Sequence, residues 1–180
     1  GVNTAFVTTT PATTTYIFRT TNGGTNWDTV YSQAGGFIDA IKMYDASTGI
    51  ALGDPVTSKW TIAKTTNGGA SWARIATEPA QVGGESGTQN GLSTVGTTHI
   101  WFNSGVGGRI YRSADGGTTW SSGTAPAGVA ATSNVWFTST QNGVATSSAS
   151  NAVFRSTDGG VTWTSVTVAG TGFLIACGGS

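Results

Sequence analysis

Ser156-Thr157-Asp158-Gly159-Gly160-Val161-Thr162-Trp163 is the last of four copies of one short pattern. The earlier copies are Thr20-Thr21-Asn22-Gly23-Gly24-Thr25-Asn26-Trp27, Thr65-Thr66-Asn67-Gly68-Gly69-Ala70-Ser71-Trp72 and Ser113-Ala114-Asp115-Gly116-Gly117-Thr118-Thr119-Trp120. Paired glycines supply the positive φ angles that a tight hairpin needs, and Asn or Asp before them accepts hydrogen bonds from the amides of the turn. The tryptophan after the turn is expected to wedge between neighbouring sheets, burying about 200 Å² per copy. Asn22 and Asn67 stand where Asp115 and Asp158 stand in the other copies, so the position needs an acceptor and not a charge. That argues against a metal or acid site shared by the four turns.

Working outward, the four tryptophans are separated by 45, 48 and 43 residues. A period in the forties, with strand-like content throughout, predicts a four-stranded propeller blade per repeat. The units fall at about 1–35, 36–80, 81–126 and 127–169, within one propeller domain or part of one. In the second unit the strands are expected at Phe37–Tyr44, Thr48–Gly53, Trp60–Thr65 and Trp72–Ala76. The first unit lacks its opening strand. Residues 170–180 would supply a closing strand, with Phe173 to Ala176 completing the blade begun by Phe6 and Val7. Closure within one chain would make a small ring. Pairing with a second copy, or with the remainder of a larger propeller, would make a larger one. No stretch has helical periodicity.

Composition narrows the function classes. Only 9% of residues are charged, against roughly 25% in a typical soluble domain, while 37% are hydrophobic and seven are tryptophan. Eight basic and eight acidic groups leave a formal net charge of zero, with no basic stripe to neutralise phosphates. Nucleic-acid binding has no electrostatic support. No apolar run is long enough to span a membrane. Cys177 is the single cysteine and His99 the single histidine, so neither a disulfide nor a metal cluster is expected within the chain, and no cofactor is implied. Scarce charge with abundant Thr and Ser is the composition of a secreted or cell-surface protein.

A second frame precedes each turn: Ile17-Phe18-Arg19, Ile62-Ala63-Lys64, Ile110-Tyr111-Arg112 and Val153-Phe154-Arg155. Four of the eight cations thus occupy one structural slot, as a positive ring for an anion or as a solvated repeat position pairing locally. The motif S/T-x-D/N-x-G-x-x-W resembles the Asp-box, or BNR, repeat of sialidases, sortilin-type receptors and other propellers. The frame Phe37-Ile38-Asp39-Ala40, Gly49-Ile50-Ala51-Leu52-Gly53-Asp54-Pro55 and Thr65-Thr66-Asn67-Gly68-Gly69 is similar to propellers related to photosystem II assembly factors. The resemblance implies an all-β propeller. It carries little about activity, because the repeat recurs in enzymes, receptors and scaffolds alike.

A sialidase-like site requires three arginines, a Tyr–Glu pair and an aspartic acid. Here three of the five arginines fill the repeated slot, and Glu78 and Glu85 fall in a Pro/Gly-rich loop. Glycoside hydrolysis requires two carboxylates roughly 5–9.5 Å apart across a groove. Asp39 and Asp54 are the best candidate pair, although Asp54-Pro55 also reads as a turn initiator. Xyloglucanases resemble this repeat class, so a polysaccharide-active enzyme stays as the alternative. Trp60, Trp101 and Trp136 lie outside the turns and are either sugar-stacking platforms or inter-blade core. The leading expectation is a non-catalytic extracellular module serving as scaffold or as protein- or glycan-binding platform.

Overall fold

The computed structural model describes residues 3–123 and 131–169, and its regular structure there is all strand. The expected closing strand at Phe173 to Ala176, and Cys177, lie outside the described residues. The chain divides into two compact units, Gly1–Ala80 and Gln81–Ser180.

The first unit holds two antiparallel sheets. One contains β1 (Ala5–Thr9), β2 (Thr14–Thr20) and β3 (Asp28–Ala34) in that order. The other contains β4 (Ile38–Met43), β5 (Gly49–Val56), β6 (Lys59–Thr65) and β7 (Ala73–Arg74). Period-two alternation fixes which residues face inward. Ile17, Ile38, Ala51, Ala63 and Trp72 make the buried cluster, with Phe6 and Val30 packed against it.

β7 is shorter than the expected Trp72–Ala76, for a definite reason. The Ile75 amide still donates to the Ile62 carbonyl at 2.9 Å. The Ile62 amide, however, donates to the Glu78 carboxylate at 2.9 Å, so a side chain replaces the next backbone acceptor. Arg74 holds that carboxylate with two bonds, at 2.8 and 2.7 Å.

The second unit also holds two antiparallel sheets. β8 (Leu92–Val95), β9 (His99–Asn103), β10 (Ile110–Ser113) and β11 (Ser121–Gly123) form one. β12 (Thr132–Phe137), β13 (Gly143–Ser147), β14 (Ala152–Ser156) and β15 (Thr164–Thr167) form the other. Trp101, Ile110, Val135, Phe137, Ala145 and Phe154 form its buried cluster. The indole of Trp101 lies parallel to the Phe137 ring, with centroids 3.8 Å apart, and its Nε1 donates to the Gly159 carbonyl at 2.8 Å. The Phe137 amide donates to Ser93 Oγ at 2.9 Å, tying the two sheets at a second point.

The two units share one packing device. A Cβ built on Gly69 would lie 2.3 Å from the ring of Phe6, a residue of the other sheet of its unit. One built on Gly160 would lie 3.3 Å from Trp101 Nε1, again on the other sheet of its unit. At Gly69 and Gly160 the second glycine of the turn therefore seats its bare backbone on a bulky side chain of the sheet before it. Phe6 pairs across its strands with Arg19, and Trp101 with Arg112, so both seats occupy the position opposite the repeated cation.

Candidate functional site

The repeated turn is built identically in all four places. The leading hydroxyl of Thr20, Thr65, Ser113 and Ser156 accepts from the amide of the second glycine, at 2.9, 2.9, 2.7 and 2.8 Å. The same hydroxyl donates to Oδ1 of Asn22, Asn67, Asp115 and Asp158, at 2.9, 2.9, 2.8 and 2.8 Å. That oxygen accepts the amide just before the tryptophan, at 3.0, 3.0, 2.9 and 2.9 Å. Both glycines adopt positive φ in every copy.

Asp115 and Asp158 take a further hydroxyl bond from Thr119 and Thr162, at 2.6 and 2.5 Å. Those bonds, with the amide of the same threonine, hold each carboxylate down to about 2. In the second copy the polarity reverses, and Asn67 Nδ2 donates to Ser71 Oγ at 2.9 Å. These acids are structural acceptors.

The tryptophans of the turns differ in exposure. Trp72 is buried, with its ring edge-on to Phe6 at 5.9 Å, and Trp163 is half-buried and edge-on to Phe137 at 5.8 Å. Trp120 is half-buried and sits 5.5 Å from Phe102. Trp27 departs from the expected wedge: it is 41% exposed, its Nε1 turned back to the Gly24 carbonyl at 3.1 Å.

Residues 154–165 match the BNR/Asp-box repeat model. These sheets are Asp-box propeller blades. The structure is similar to YCF48 bound to D1 peptide, at 18% identity and a TM-score of 0.57, over 76% of this chain and 41% of that one. It is similar to YCF48 from Cyanidioschyzon merolae, at 17% identity and a TM-score of 0.62, over 94% of this chain and 54% of that one. It is also similar to a GH74 xyloglucanase from Xanthomonas campestris, at 17% identity and a TM-score of 0.62, over 86% of this chain and 27% of that one. The chain thus spans about half or less of the length of these proteins, and at such identities the likeness establishes the propeller fold. No curated protein matches the sequence.

Asp39 and Asp54 come together in the first unit. Asp39 is the extra residue of a β-bulge between Ile38 and Ala40 on β4. Opposite it, Gly53 lets the strands close in, since a Cβ there would lie 2.1 Å from the Phe37 carbonyl oxygen. The Asp54 amide donates to that oxygen at 2.9 Å. Burial first, and then the charge of Asp54, push the Asp39 carboxyl up to about 7. Its Oδ2 is buried with no hydrogen-bond partner among the described residues.

Three further acids are engaged. Asp45 caps its own turn, accepting from the Ser47 and Thr48 amides at 2.6 and 2.7 Å. Glu78 and Glu85, in their Pro/Gly-rich loop, are not free. Glu78 completes the sheet ladder, and buried Glu85 accepts from the Tyr111 hydroxyl and the Val82 amide and pairs with Arg109 at 3.0 Å. A Pro/Gly-rich loop cannot supply hydrophobic anchors, and a glutamate reaching back to the sheet does that work.

Of the three extra tryptophans, Trp60 and Trp101 are 0% and 2% exposed and present no ring face to a sugar. Inward strand positions bury them, which corrects their candidacy as binding platforms. Trp136 is half-buried beside a cleft of about 310 Å³ that also takes in Val144 and Arg155. A second cleft of about 310 Å³ in the same unit is lined by His99, Arg112, Trp120, Gln141 and Asp158. Sequence reasoning missed this one, because it assembles residues from two repeats; the half-buried Trp120 beside the repeated cation was its only signal.

Proposed function

We propose that this chain is a non-catalytic propeller module, working outside the cell, that presents a binding platform to a protein or glycan partner. The observation that carries this reading is the fate of its carboxylates. Asp45, Glu78, Glu85, Asp115 and Asp158 are consumed by turns, a ladder and a buried ion pair, which leaves little acid–base chemistry. The cleft at Trp120 supports the platform: a half-buried indole beside Arg112 and Gln141 offers an apolar surface ringed by planar hydrogen-bonding groups. YCF48 bound to D1 peptide gives a propeller of this kind a protein partner. Low charge and hydroxyl-rich faces support the extracellular setting.

One observation favours a second reading, glycoside hydrolysis. Asp39 sits at a bulge beside Asp54 with its carboxyl pushed up to about 7 by burial and the neighbouring charge, the range in which a carboxyl can serve as a general acid. Incubation with xyloglucan and other β-glucans, alongside glycan- and peptide-array binding, separates the two. The platform reading expects saturable binding, reduced by Arg112→Ala, and no release of reducing ends. Hydrolysis that disappears in Asp39→Asn would replace it with the enzyme.

A further inference from the structure

The repeated cation sits differently at the two joints. In the first unit Arg19 lies over the first glycine of the following turn: a Cβ built on Gly68 would meet its Nη2 at 3.6 Å, and its Nε is buried. In the second unit Arg112 stands at the equivalent place, opposite Trp101 as Arg19 is opposite Phe6. Yet a Cβ built on Gly159 would meet only the Thr140 carbonyl, at 2.9 Å. Arg112 is held to one side, its Nε donating to Ser121 Oγ at 2.9 Å. What Arg19 covers Arg112 leaves open, and the cleft of about 310 Å³ at His99, Trp120 and Gln141 is the result. The residues that line it come from two consecutive sheets of one unit and their turns.

The uncompensated charge in this cleft is positive. Asp158 is ionised, but its two oxygens accept from the Ser156 and Thr162 hydroxyls and from the Val161 and Thr162 amides. Asp115, next in sequence to the lining residue Ala114, is engaged by its own turn in the same way. Arg112 meets one neutral hydroxyl, which leaves both terminal nitrogens without a partner among the described residues. Two parallel donors on a planar cation are matched by a carboxylate.

The rest of the wall is not ionic. The Trp120 indole is half-buried, packs on Phe102 at 5.5 Å and donates its Nε1 to the Gly117 carbonyl at 3.1 Å, so it offers the cleft ring surface only. Gln141 is exposed, and its side-chain amide is unbonded among the described residues. His99 engages Thr98 through Nδ1 at 3.1 Å, with Nε2 remaining. A fixed indole flanked by amide and imidazole groups suits a pyranose ring, which has an apolar face and a rim of hydroxyls.

We propose that this cleft binds a uronic acid unit of an acidic glycan, with the carboxylate on the Arg112 guanidinium, the ring against Trp120 and the hydroxyls on Gln141 and His99. This deepens the platform reading above and rests on it. A neutral sugar would leave the charge of the arginine unmet. An acidic peptide would meet that charge and leave the groups around the indole without hydroxyls to bind.

Isothermal titration calorimetry of the full chain with trigalacturonate, its methyl ester and a triglutamate peptide, at about 0.1 M salt, tests this. The acid sugar is expected to bind saturably and at least about tenfold more tightly than either of the others. Arg112→Gln is expected to weaken it by at least about tenfold, whereas Arg19→Gln, which removes the same charge from the covered joint, leaves it unchanged. If circular dichroism shows Arg112→Gln unfolded, Gln141→Ala, at an exposed side chain, replaces it with an expected loss of about threefold. Equal binding of the ester or the peptide overturns the uronate assignment. So do an acid sugar that does not bind, and a loss in Arg19→Gln as large as in Arg112→Gln. Array ligands that are lost in Arg112→Ala would then leave the platform reading standing; no array ligand at all takes both down.

Discussion

Asp39 shows how one backbone irregularity changes the chemistry of a side chain. Without the bulge on β4 the alternation would simply carry it to one face; with it, the carboxyl is buried next to Asp54 and rises to about 7. Its folded value lies above its unfolded one, so the stability it contributes is fully present at low pH and is lost as pH climbs from about 4 to 7. Asp115 and Asp158 act with the opposite sign. They are held down at about 2, so their contribution is present above the unfolded value and disappears as pH falls below about 4. Thermal melts from pH 3 to 9 should therefore peak between these limbs. Asp39→Asn should flatten the upper limb and stabilise the chain at pH 8 by about 2 kcal/mol, allowing for solvent around a half-buried group. A melting curve for the variant that still falls between pH 4 and 7 would remove Asp39 as its cause.

At the scale of the element, the two glycines of a turn have different jobs. Both supply positive φ; the first lies against a backbone carbonyl at Gly68 and Gly159, while the second presents bare backbone to a ring of the other sheet at Gly69 and Gly160. Gly69→Ala adds a methyl that would meet Phe6 at 2.3 Å on top of a φ of 77°. Gly83→Ala imposes a similar backbone, φ 65°, with nothing within 4 Å. Overpacking predicts a loss of about 3 kcal/mol for Gly69→Ala against about 1 for Gly83→Ala, read by urea denaturation. Equal losses would mean that the seat on Phe6 is unimportant. The turn itself was legible in the sequence, because its hydroxyl, acceptor and glycines are local and recur in register. Its seat was not, since Phe6 and Trp101 are marked only by the strand pairing that sets them opposite a cation. Trp60, Trp101 and Trp136 looked alike for a related reason: a lone indole on a strand does not state which face is covered. The role of Glu78 was not legible because its partner, the Ile62 amide, is ordinarily claimed by backbone.

For the whole molecule, the decisive quantity is how little charge it carries. Eight cations and eight anions sum to zero, and five of the anions are tied into structure. Solubility should pass through a minimum near the isoelectric point of about 6.8 and improve on either side. Retention on a heparin column should be negligible at about 0.1 M salt. Elution only at several-fold higher salt would reveal a basic surface that the residue count denies. The fold class and the repeat boundaries follow from the spacing of the tryptophans. The cleft at Trp120 is assembled from two repeats, and no single repeat spells it out.

The seat of the second glycine has a consequence for how such a chain can change. It demands bulk on one partner and a missing side chain on the other, and it is indifferent to whether the bulk is phenyl or indole. Copies are therefore free to drift apart in sequence, or to be duplicated and deleted as cassettes, while each new neighbour still fits the old one. A protein joined this way grows by addition, with its outward loops left at liberty to acquire different ligands.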